Sequence, residues 1–282
     1  VTDVMIVIDT TGSMATVINQ VKANATSIVN TIFDTNQLKS PRIGLVEFRD
    51  QGSAFVTKTN VALTSDKSSV INAVSNLQTG DGGDDPEAWY SGIMEAYNQP
   101  WRKGARKIMY FFADTEPKDP EPGTGFTAHD VTQRALEIDP VQIYPIWMNG
   151  FIDLDFQQKY QAAANKLALA TGGRLIRTPD KYQGKFINGN VVKGLEYATT
   201  ELATDPVAQI DGPDTGMGGD VLLFNGGKTY DSEKAIVEYS WDFDNDHKVD
   251  IVSNSPRVVW RYNSAYDGFI TMFAKASDGG VS

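Results

Sequence analysis

The apolar positions of the first two hundred residues switch between a strand pattern and a helix pattern. Residues 4–8 (VMIVI) form a continuous apolar run, which is typical of a strand covered on both faces of a parallel sheet. Further strands are predicted over 42–48, 54–60, 107–113, 141–148 and 173–177. One long helix is predicted after the first strand, because apolar residues from 14 to 33 recur at helical spacing. Further helices are predicted over 66–77, 86–98, 127–138, 156–170 and 182–202. This alternation predicts an α/β fold with a doubly wound, mostly parallel sheet.

The pattern changes after residue 203. Thr204-Asp205-Pro206 ends the last helical pattern, because proline cannot continue a helix. Short runs of alternating apolar and polar residues follow, separated by Gly, Asp and Asn turns: VLLF, IVEYSW, RVVWRY and FITMFAKA. They predict a small all-β sandwich of the immunoglobulin-like type. The chain is therefore predicted to have two domains, 1–203 and 204–282.

Charge and composition exclude several classes of function. The net charge is −11, of which residues 204–282 carry −7, so the surface repels phosphate backbones and a nucleic-acid partner is not expected. The chain has no cysteine, which excludes disulfides, thiolate zinc sites and a cysteine nucleophile. Its two histidines, His129 and His247, argue against a multi-histidine metal site. No apolar run approaches the length of a membrane span, and the strand-like first residues suggest that any export signal has been removed.

Oxygen-bearing side chains follow two of the predicted buried strands. Asp9 comes directly after the first strand, and Thr11 and Ser13 alternate behind it, with Gly12 allowing the backbone to bend. Asp114 directly follows a later strand, and the carboxyl ends of parallel strands meet at one edge of the sheet. Carboxylate and hydroxyl oxygens suit a hard divalent cation. The alternative is that Thr11 or Ser13 only caps the following helix.

A glycine-rich loop over 79–87 is expected to reach the same edge of the sheet. It leads into a helix with Pro86 at the first position, so one of Asp84 and Asp85 is expected to cap this helix and the other to face the metal. With Asp84 as a third carboxylate, the site around a dication would be formally −1. Such a site is expected to bind its cation more tightly and to depend less on a carboxylate from a partner.

Charged residues also follow the second predicted strand. They are Glu47, Arg49 and Asp50, within the segment GLVEFRD. A surface ion pair is the favoured interpretation, and a polar network near the metal site is the alternative.

These motifs resemble a known family. Asp9-x-Thr11-x-Ser13 with Asp114 resembles the metal-ion-dependent adhesion site of von Willebrand factor A domains, and the strand and helix order over 1–203 is similar to theirs. DTTGSM, GLVEFRD, GGDDPEA and ADTEP resemble the branch of the family found beside alpha-kinases. Many members have a threonine where this chain has Asp84. The resemblance implies Mg²⁺, with Mn²⁺ or Ca²⁺ as alternatives, held by Asp9, Thr11, Ser13, Asp84 and Asp114.

A second acidic loop lies in the C-terminal part of the chain. Its aspartates are spaced as in a calcium loop, but His247 stands where that loop needs glycine and Ser253 where it needs glutamate. A calcium-stabilised β-turn and an ordinary acidic hairpin loop both stay open. The segment 206–282 resembles the polycystic kidney disease repeat, with Trp241 expected in the core. That resemblance implies a possible Ca²⁺ site formed by Asp231, Asp242, Asp244, Asp246 and Asp250.

An enzymatic role is not expected, because the hydroxyls of the first motif have no histidine or lysine partner at a recognisable spacing. The two resemblances imply a metal-dependent protein-binding or adhesion module of a secreted or cell-surface bacterial protein. Its ligand would be a protein or another extracellular macromolecule, bound near the cation. Two alternatives stay open: non-catalytic accessory domains of a secreted hydrolase, and an intracellular assembly module, against which the second domain argues.

Overall fold

The computed structural model of the chain divides it into two compact units, Val1–Ala203 and Thr204–Ser282. The residues it describes are 1–35, 38–82, 86–138, 141–146, 154–176, 194–195, 199, 206–213, 215–231, 234–246 and 248–281, with the backbone alone for 154–156. Within this part of the chain, no helix is both long enough and apolar enough to cross a membrane.

The first unit is built on a sheet with the order β3-β2-β1-β4-β5. Its strands are β1 (Thr2–Asp9), β2 (Arg42–Phe48), β3 (Thr57–Thr64), β4 (Arg106–Phe112) and β5 (Val141–Pro145). The pairs β1–β2, β1–β4 and β4–β5 are parallel, and β3 is antiparallel to β2. This confirms the predicted α/β fold with a mostly parallel sheet. The strand predicted over 173–177 is present, among the described residues, only as a parallel bridge between Ile146 and Ile176.

Helices cover both faces of this sheet. Alternate side chains of β1 point to opposite faces, so β1 contributes apolar residues to the helical layers on both sides. The helices are α1 (Ala15–Ala23), α2 (Ala25–Phe33), α3 (Lys67–Ser75), α4 (Trp89–Tyr97), α5 (Ala128–Glu137) and α6 (Leu154–Ala170). Val4, Ile6 and Ile8 belong to the apolar cluster that also contains the buried residues of α1, α2 and α3. Met5 and Val7 belong to the cluster of α4, α5 and α6. The carboxyl ends of β1 and β4 are therefore held between two packed helical layers.

One helix prediction needs correction, and another lies mostly outside the described residues. The single helix predicted over 14–33 is two helices, because Asn24 leaves the helical conformation and its side-chain amide donates to the carbonyl of Gln20 at 2.8 Å. The helix predicted over 182–202 falls mostly outside the residues that the structure describes.

The second unit consists of short antiparallel strands around an aromatic core. They are β6 (Leu222–Asn225), β7 (Ile236–Asp242), β8 (Ile251–Ser253), β9 (Arg257–Trp260) and β10 (Thr271–Ala276), in a sheet β10-β7-β8 and a sheet β6-β9. Trp241 is fully buried, as predicted, and stacks on Phe243 at 5.7 Å between ring centroids. The antiparallel character is confirmed, and the immunoglobulin-like arrangement stays a prediction.

Candidate metal centre

The turn after β1 presents the first candidate ligands. Asp9 is fully buried at the end of the strand, and its Oδ1 accepts a hydrogen bond from the Thr11 amide at 2.7 Å. A 3-10 turn over Gly12–Met14 follows, for which Thr11 occupies the N-cap position without a side-chain capping bond. The hydroxyl oxygens of Thr11 and Ser13 instead lie 3.2 Å apart. The N-cap position of α1 belongs to Met14, so the capping alternative for Thr11 and Ser13 is wrong.

Two further carboxylates act on Asp9 from neighbouring segments. The pKa of Asp9 is raised well above its usual range, first by burial, then by the negative charge of Asp114 and then by that of Glu87. Asp114 lies two residues after the end of β4, which pairs in parallel with β1, and is 8% exposed. The Oδ2 atom of Asp9 has no hydrogen-bond partner among the described residues. A buried oxygen of this kind, surrounded by like charges, is costly unless a cation approaches it.

The donor set fits a hard divalent cation. Carboxylates and hydroxyls are the oxygen ligands that Mg²⁺, Mn²⁺ and Ca²⁺ prefer. The structure places Asp9, Thr11 and Ser13 on one turn, with Asp114 near enough to perturb Asp9. Ser13 is exposed whereas Thr11 is buried, so the site opens to solvent on the Ser13 side. Asp84, the remaining predicted ligand, lies outside the described residues.

Glu87 is the residue near this site that the sequence interpretation missed. Helix α4 begins at Trp89 with Ala88 at the N-cap, so the prediction of Pro86 as its first residue and of Asp84 or Asp85 as its cap is wrong. Glu87 is held outside the helix because its amide donates to the Glu116 carbonyl at 3.0 Å and its carbonyl accepts from the Lys118 amide at 3.0 Å. An acidic residue directly before a buried apolar segment was the signal that could have identified it.

A distant glutamate supplies the missing cap of α4. Glu121 is 1% exposed, and its Oε2 accepts from the Ser91 amide at 2.9 Å in the first turn of the helix. This contact joins segments thirty residues apart. Residues close in sequence therefore did not reveal where α4 begins.

The described part of the glycine-rich loop passes close to the turn that carries Asp9, Thr11 and Ser13. The Gly80 amide donates to the Thr10 carbonyl at 3.0 Å. A Cβ atom on Gly82 would lie 2.8 Å from the side chain of Thr11, which is too close for any other residue without displacement. Gly80 and Gly82 thus allow the backbone of the loop to lie against this turn.

The charged residues after β2 are buried, so their prediction as a surface ion pair is wrong. Glu47, Arg49 and Asp50 are 2%, 8% and 0% exposed. The Thr10 hydroxyl donates to Glu47 Oε2 at 2.9 Å and accepts from Arg49 Nε at 3.1 Å, and Asp50 forms an ion pair with Lys118. Burial follows because β2 lies beside β1 in the sheet and both strands end under the glycine-rich loop. The alternative, a polar network next to the site, is confirmed.

The second acidic loop gathers part of its predicted set. Asp242, Asp244 and Asp250 have ligand oxygens within 4.8 Å of one another, the one such group of three acidic side chains or histidines among the described residues. Asp246 instead forms an ion pair with Lys248 at 2.7 Å. Asp231 accepts from the Lys234 amide at 2.8 Å and is not part of the group.

Comparisons with known proteins identify the first unit. A family model of the von Willebrand factor A domain matches residues 3–180, and the chain therefore belongs to this family. Among solved structures, it is similar to the conserved hypothetical protein BatB from Bacteroides thetaiotaomicron, with 16% identity, coverage of 70% of this chain and 96% of that chain, and a TM-score of 0.47. It is also similar to an aerotolerance-related membrane protein from Bacteroides fragilis NCTC 9343, with 17% identity, coverage of 68% and 100%, and a TM-score of 0.45. No curated protein matches the chain.

Proposed function

We propose that this chain is a metal-dependent protein-binding module of a secreted or cell-surface protein. Membership of the von Willebrand factor A family supports a role in protein interaction. In this proposal, a divalent cation is held by Asp9, Thr11, Ser13 and Asp114, and the macromolecular ligand binds at the solvent-facing side of that cation. The negative net charge of the chain supports a protein ligand rather than a nucleic acid.

The observation that carries the proposal is the state of Asp9. It is fully buried, its Oδ2 has no hydrogen-bond partner among the described residues, and its neighbours Asp114 and Glu87 are acidic. A bound dication would offset this charge, which burial makes expensive to leave uncompensated. Glu87 contributes a third negative charge near Asp9, as was expected of Asp84 from the sequence. We therefore infer that the cation stays bound without a partner.

The proposal includes a non-catalytic role. The hydroxyls of Thr11 and Ser13 lie 3.2 Å apart, and the carboxylate that contacts the Thr11 side chain, Asp9, is in this proposal a cation ligand and not a general base. The function that remains for such a centre is to present an open coordination position to a ligand.

The experiment is a calorimetric titration of Mg²⁺, Mn²⁺ and Ca²⁺ into metal-stripped protein. Wild type is compared with Ser13→Ala, and Ser27→Ala, an exposed serine on α2, serves as the matched control. We expect binding that Ser13→Ala weakens and Ser27→Ala leaves unchanged. Absence of binding, or equal binding by all three proteins, would contradict the cation site.

The protein-binding half of the proposal needs a separate measurement. Displayed peptides with internal Asp or Glu residues are selected on immobilised wild-type chain in Mg²⁺, and the retained peptides are then tested for release by EDTA. We expect release by EDTA and no retention on Ser13→Ala. Retention that is indifferent to both would contradict a ligand bound through the metal.

A second cation, Ca²⁺, is supported in the C-terminal unit by the convergence of Asp242, Asp244 and Asp250. Asp242 is buried while Asp244 and Asp250 are exposed, so such an ion would tie a loop to the end of β7. The measurement is the thermal unfolding of the full chain with and without Ca²⁺, in wild type and in Asp244→Asn/Asp250→Asn. Because the first centre could also take Ca²⁺, the difference between the two proteins decides: an equal Ca²⁺ effect in wild type and in the double variant would contradict this site.

A further inference from the structure

We propose that Arg49 is a positioning residue of the metal centre, whose guanidinium fixes the glycine-rich loop onto the turn that carries Asp9, Thr11 and Ser13. The inference rests on the proposed function, because it concerns the same cation. Among the described contacts, Arg49 does not touch an oxygen atom of any proposed ligand. It acts on the metal centre through Thr10.

Arg49 connects two segments that approach from different parts of the chain. Its Nε donates to the Thr10 hydroxyl at 3.1 Å, and its Nη2 donates to the Gln78 carbonyl at 2.8 Å. Thr10 lies between two of the proposed ligands, and Gln78 directly precedes the glycine-rich loop. The fixed planar geometry of a guanidinium suits such a bridge, because two donors of one rigid group define the spacing of both partners.

Gly80 shows that the loop is shaped around this guanidinium. A Cβ atom on Gly80 would lie 2.0 Å from Arg49 Nη1 and 2.4 Å from Arg49 Cζ. The same glycine donates its amide to the Thr10 carbonyl at 3.0 Å and forms a parallel bridge with Thr11. Loop backbone, turn backbone and guanidinium are therefore in mutual contact at one point, and only glycine leaves room for all three.

Further contacts hold Arg49 and Thr10 in place. The guanidinium lies 4.3 Å from the centroid of the Phe55 ring, a favourable cation–π arrangement. The Thr10 hydroxyl donates its proton to Glu47 Oε2 at 2.9 Å, which leaves its oxygen to accept from Arg49. Glu47 is in turn paired with Lys58 at 2.9 Å. The side chain of Thr10 is thereby directed to this network rather than to the cation.

The positioning role and simple electrostatics predict opposite signs. Arg49 is a buried positive charge near a cation site, so charge alone would make its removal strengthen cation binding. A residue that positions the turn and the loop would weaken binding on removal. Partners of this type outside the metal's ligands typically change affinity by about 10-fold or more.

The test compares cation affinity in the full chain for wild type, Arg49→Met, Arg49→Lys and Gly80→Ala. Arg42→Lys is the matched control, because Arg42 lies at the other end of the same strand β2. Mg²⁺ affinity is measured by calorimetry, and thermal unfolding in EDTA reports the fold separately. We expect Arg49→Met, Arg49→Lys and Gly80→Ala to weaken Mg²⁺ binding by about 10-fold, and Arg42→Lys to leave it unchanged.

The outcomes separate the two proposals. If wild type binds Mg²⁺ and Arg49→Met or Gly80→Ala binds it equally or more tightly, Arg49 has no positioning role and the proposed function stands. If wild type does not bind Mg²⁺ or Mn²⁺, both proposals fail. If Arg49→Met does not fold, Arg49→Lys and Gly80→Ala decide, since the first keeps the charge and the second keeps the arginine.

Discussion

The two ends of β1 carry buried aspartates in opposite situations. Asp3 and Asp9 are both fully buried on the same strand. Asp3 accepts from Arg42 Nε at 2.9 Å and Nη2 at 2.7 Å, and from the Arg102 amide and Nε, both at 2.8 Å. Asp9 accepts from the Thr11 amide, and its second oxygen has no hydrogen-bond partner among the described residues. One end of the strand thus balances its charge internally and the other does not.

The pKa values of the two side chains shift in opposite directions. Burial alone would raise the pKa of Asp3, but hydrogen bonds from Arg42 and Arg102 outweigh it and lower that pKa. Burial also raises the pKa of Asp9, and the charges of Asp114 and Glu87 raise it further. The comparison indicates that the charge of Asp3 is compensated within the fold, whereas that of Asp9 is not, as the proposed cation site requires.

The largest effect is expected from Asp3→Asn. Removing this charge leaves Arg42 and Arg102 without their carboxylate, which should lower the free energy of unfolding by about 3 kcal/mol, the lower end of the range for a broken buried ion pair because both arginines are partly exposed. Urea unfolding at pH 7 in EDTA measures the change. A loss below about 1 kcal/mol would show that the pair behaves like a surface ion pair.

Asp9→Asn should act in the other direction in EDTA, raising the free energy of unfolding because it removes an uncompensated buried charge. It should also abolish stabilisation by cation, which for wild type is about 2.7 kcal/mol when free Mg²⁺ is 100 times its dissociation constant. Urea unfolding with and without Mg²⁺ measures both effects. Equal stabilisation of wild type and variant by Mg²⁺ would place the cation elsewhere.

Glu87→Gln should have a smaller effect of the same kind. The substitution removes one of the negative charges that raise the pKa of Asp9, so cation affinity should fall by about 10-fold while the fold in EDTA becomes no less stable. Glu137→Gln, on the exposed side of α5, is the matched control for charge. Calorimetry that finds the two variants alike would remove Glu87 from the metal centre.

The smallest expected effect is a pH dependence of the free energy of unfolding in EDTA. The two aspartates should contribute to it with opposite signs, because Asp3 loses a stabilising contribution in acid and Asp9 loses a destabilising one. The folded-state pKa of Asp3 is below its ordinary 3.8, so its contribution is present above that pH and is lost as pH falls through the lowered value. The difference between wild type and Asp3→Asn should therefore shrink in acid. The folded-state pKa of Asp9 is raised, so the folded chain gains stability as pH falls from neutrality and the advantage of Asp9→Asn should shrink too. An advantage of Asp9→Asn that grows in acid would contradict the raised pKa.

The parts of the fold and site that the sequence revealed are those determined locally. The apolar run of β1 and the residues immediately behind it are contiguous, so the strand and the turn with Asp9, Thr11 and Ser13 were predictable from periodicity. Asp114 was predictable because its strand is a second apolar run and parallel strands end at one edge.

The parts that the sequence did not reveal depend on contacts between distant segments. Helix α4 starts at Trp89 because Glu121 caps it and Glu116 and Lys118 hold Glu87 outside it. Arg49 follows a strand end, where charged residues are usually solvated, and it is buried because the glycine-rich loop lies over it. The periodicity of apolar residues indicates neither the start of α4 nor the burial of Arg49.

The most direct test of the metal centre is an anomalous difference map from crystals of the full chain grown with Mn²⁺. We expect a peak within coordination distance of the carboxylates of Asp9 and Asp114 and near the hydroxyls of Thr11 and Ser13. A map at saturating Mn²⁺ without a peak beside Asp9, whether or not one is present at Asp242, Asp244 and Asp250, would contradict this expectation.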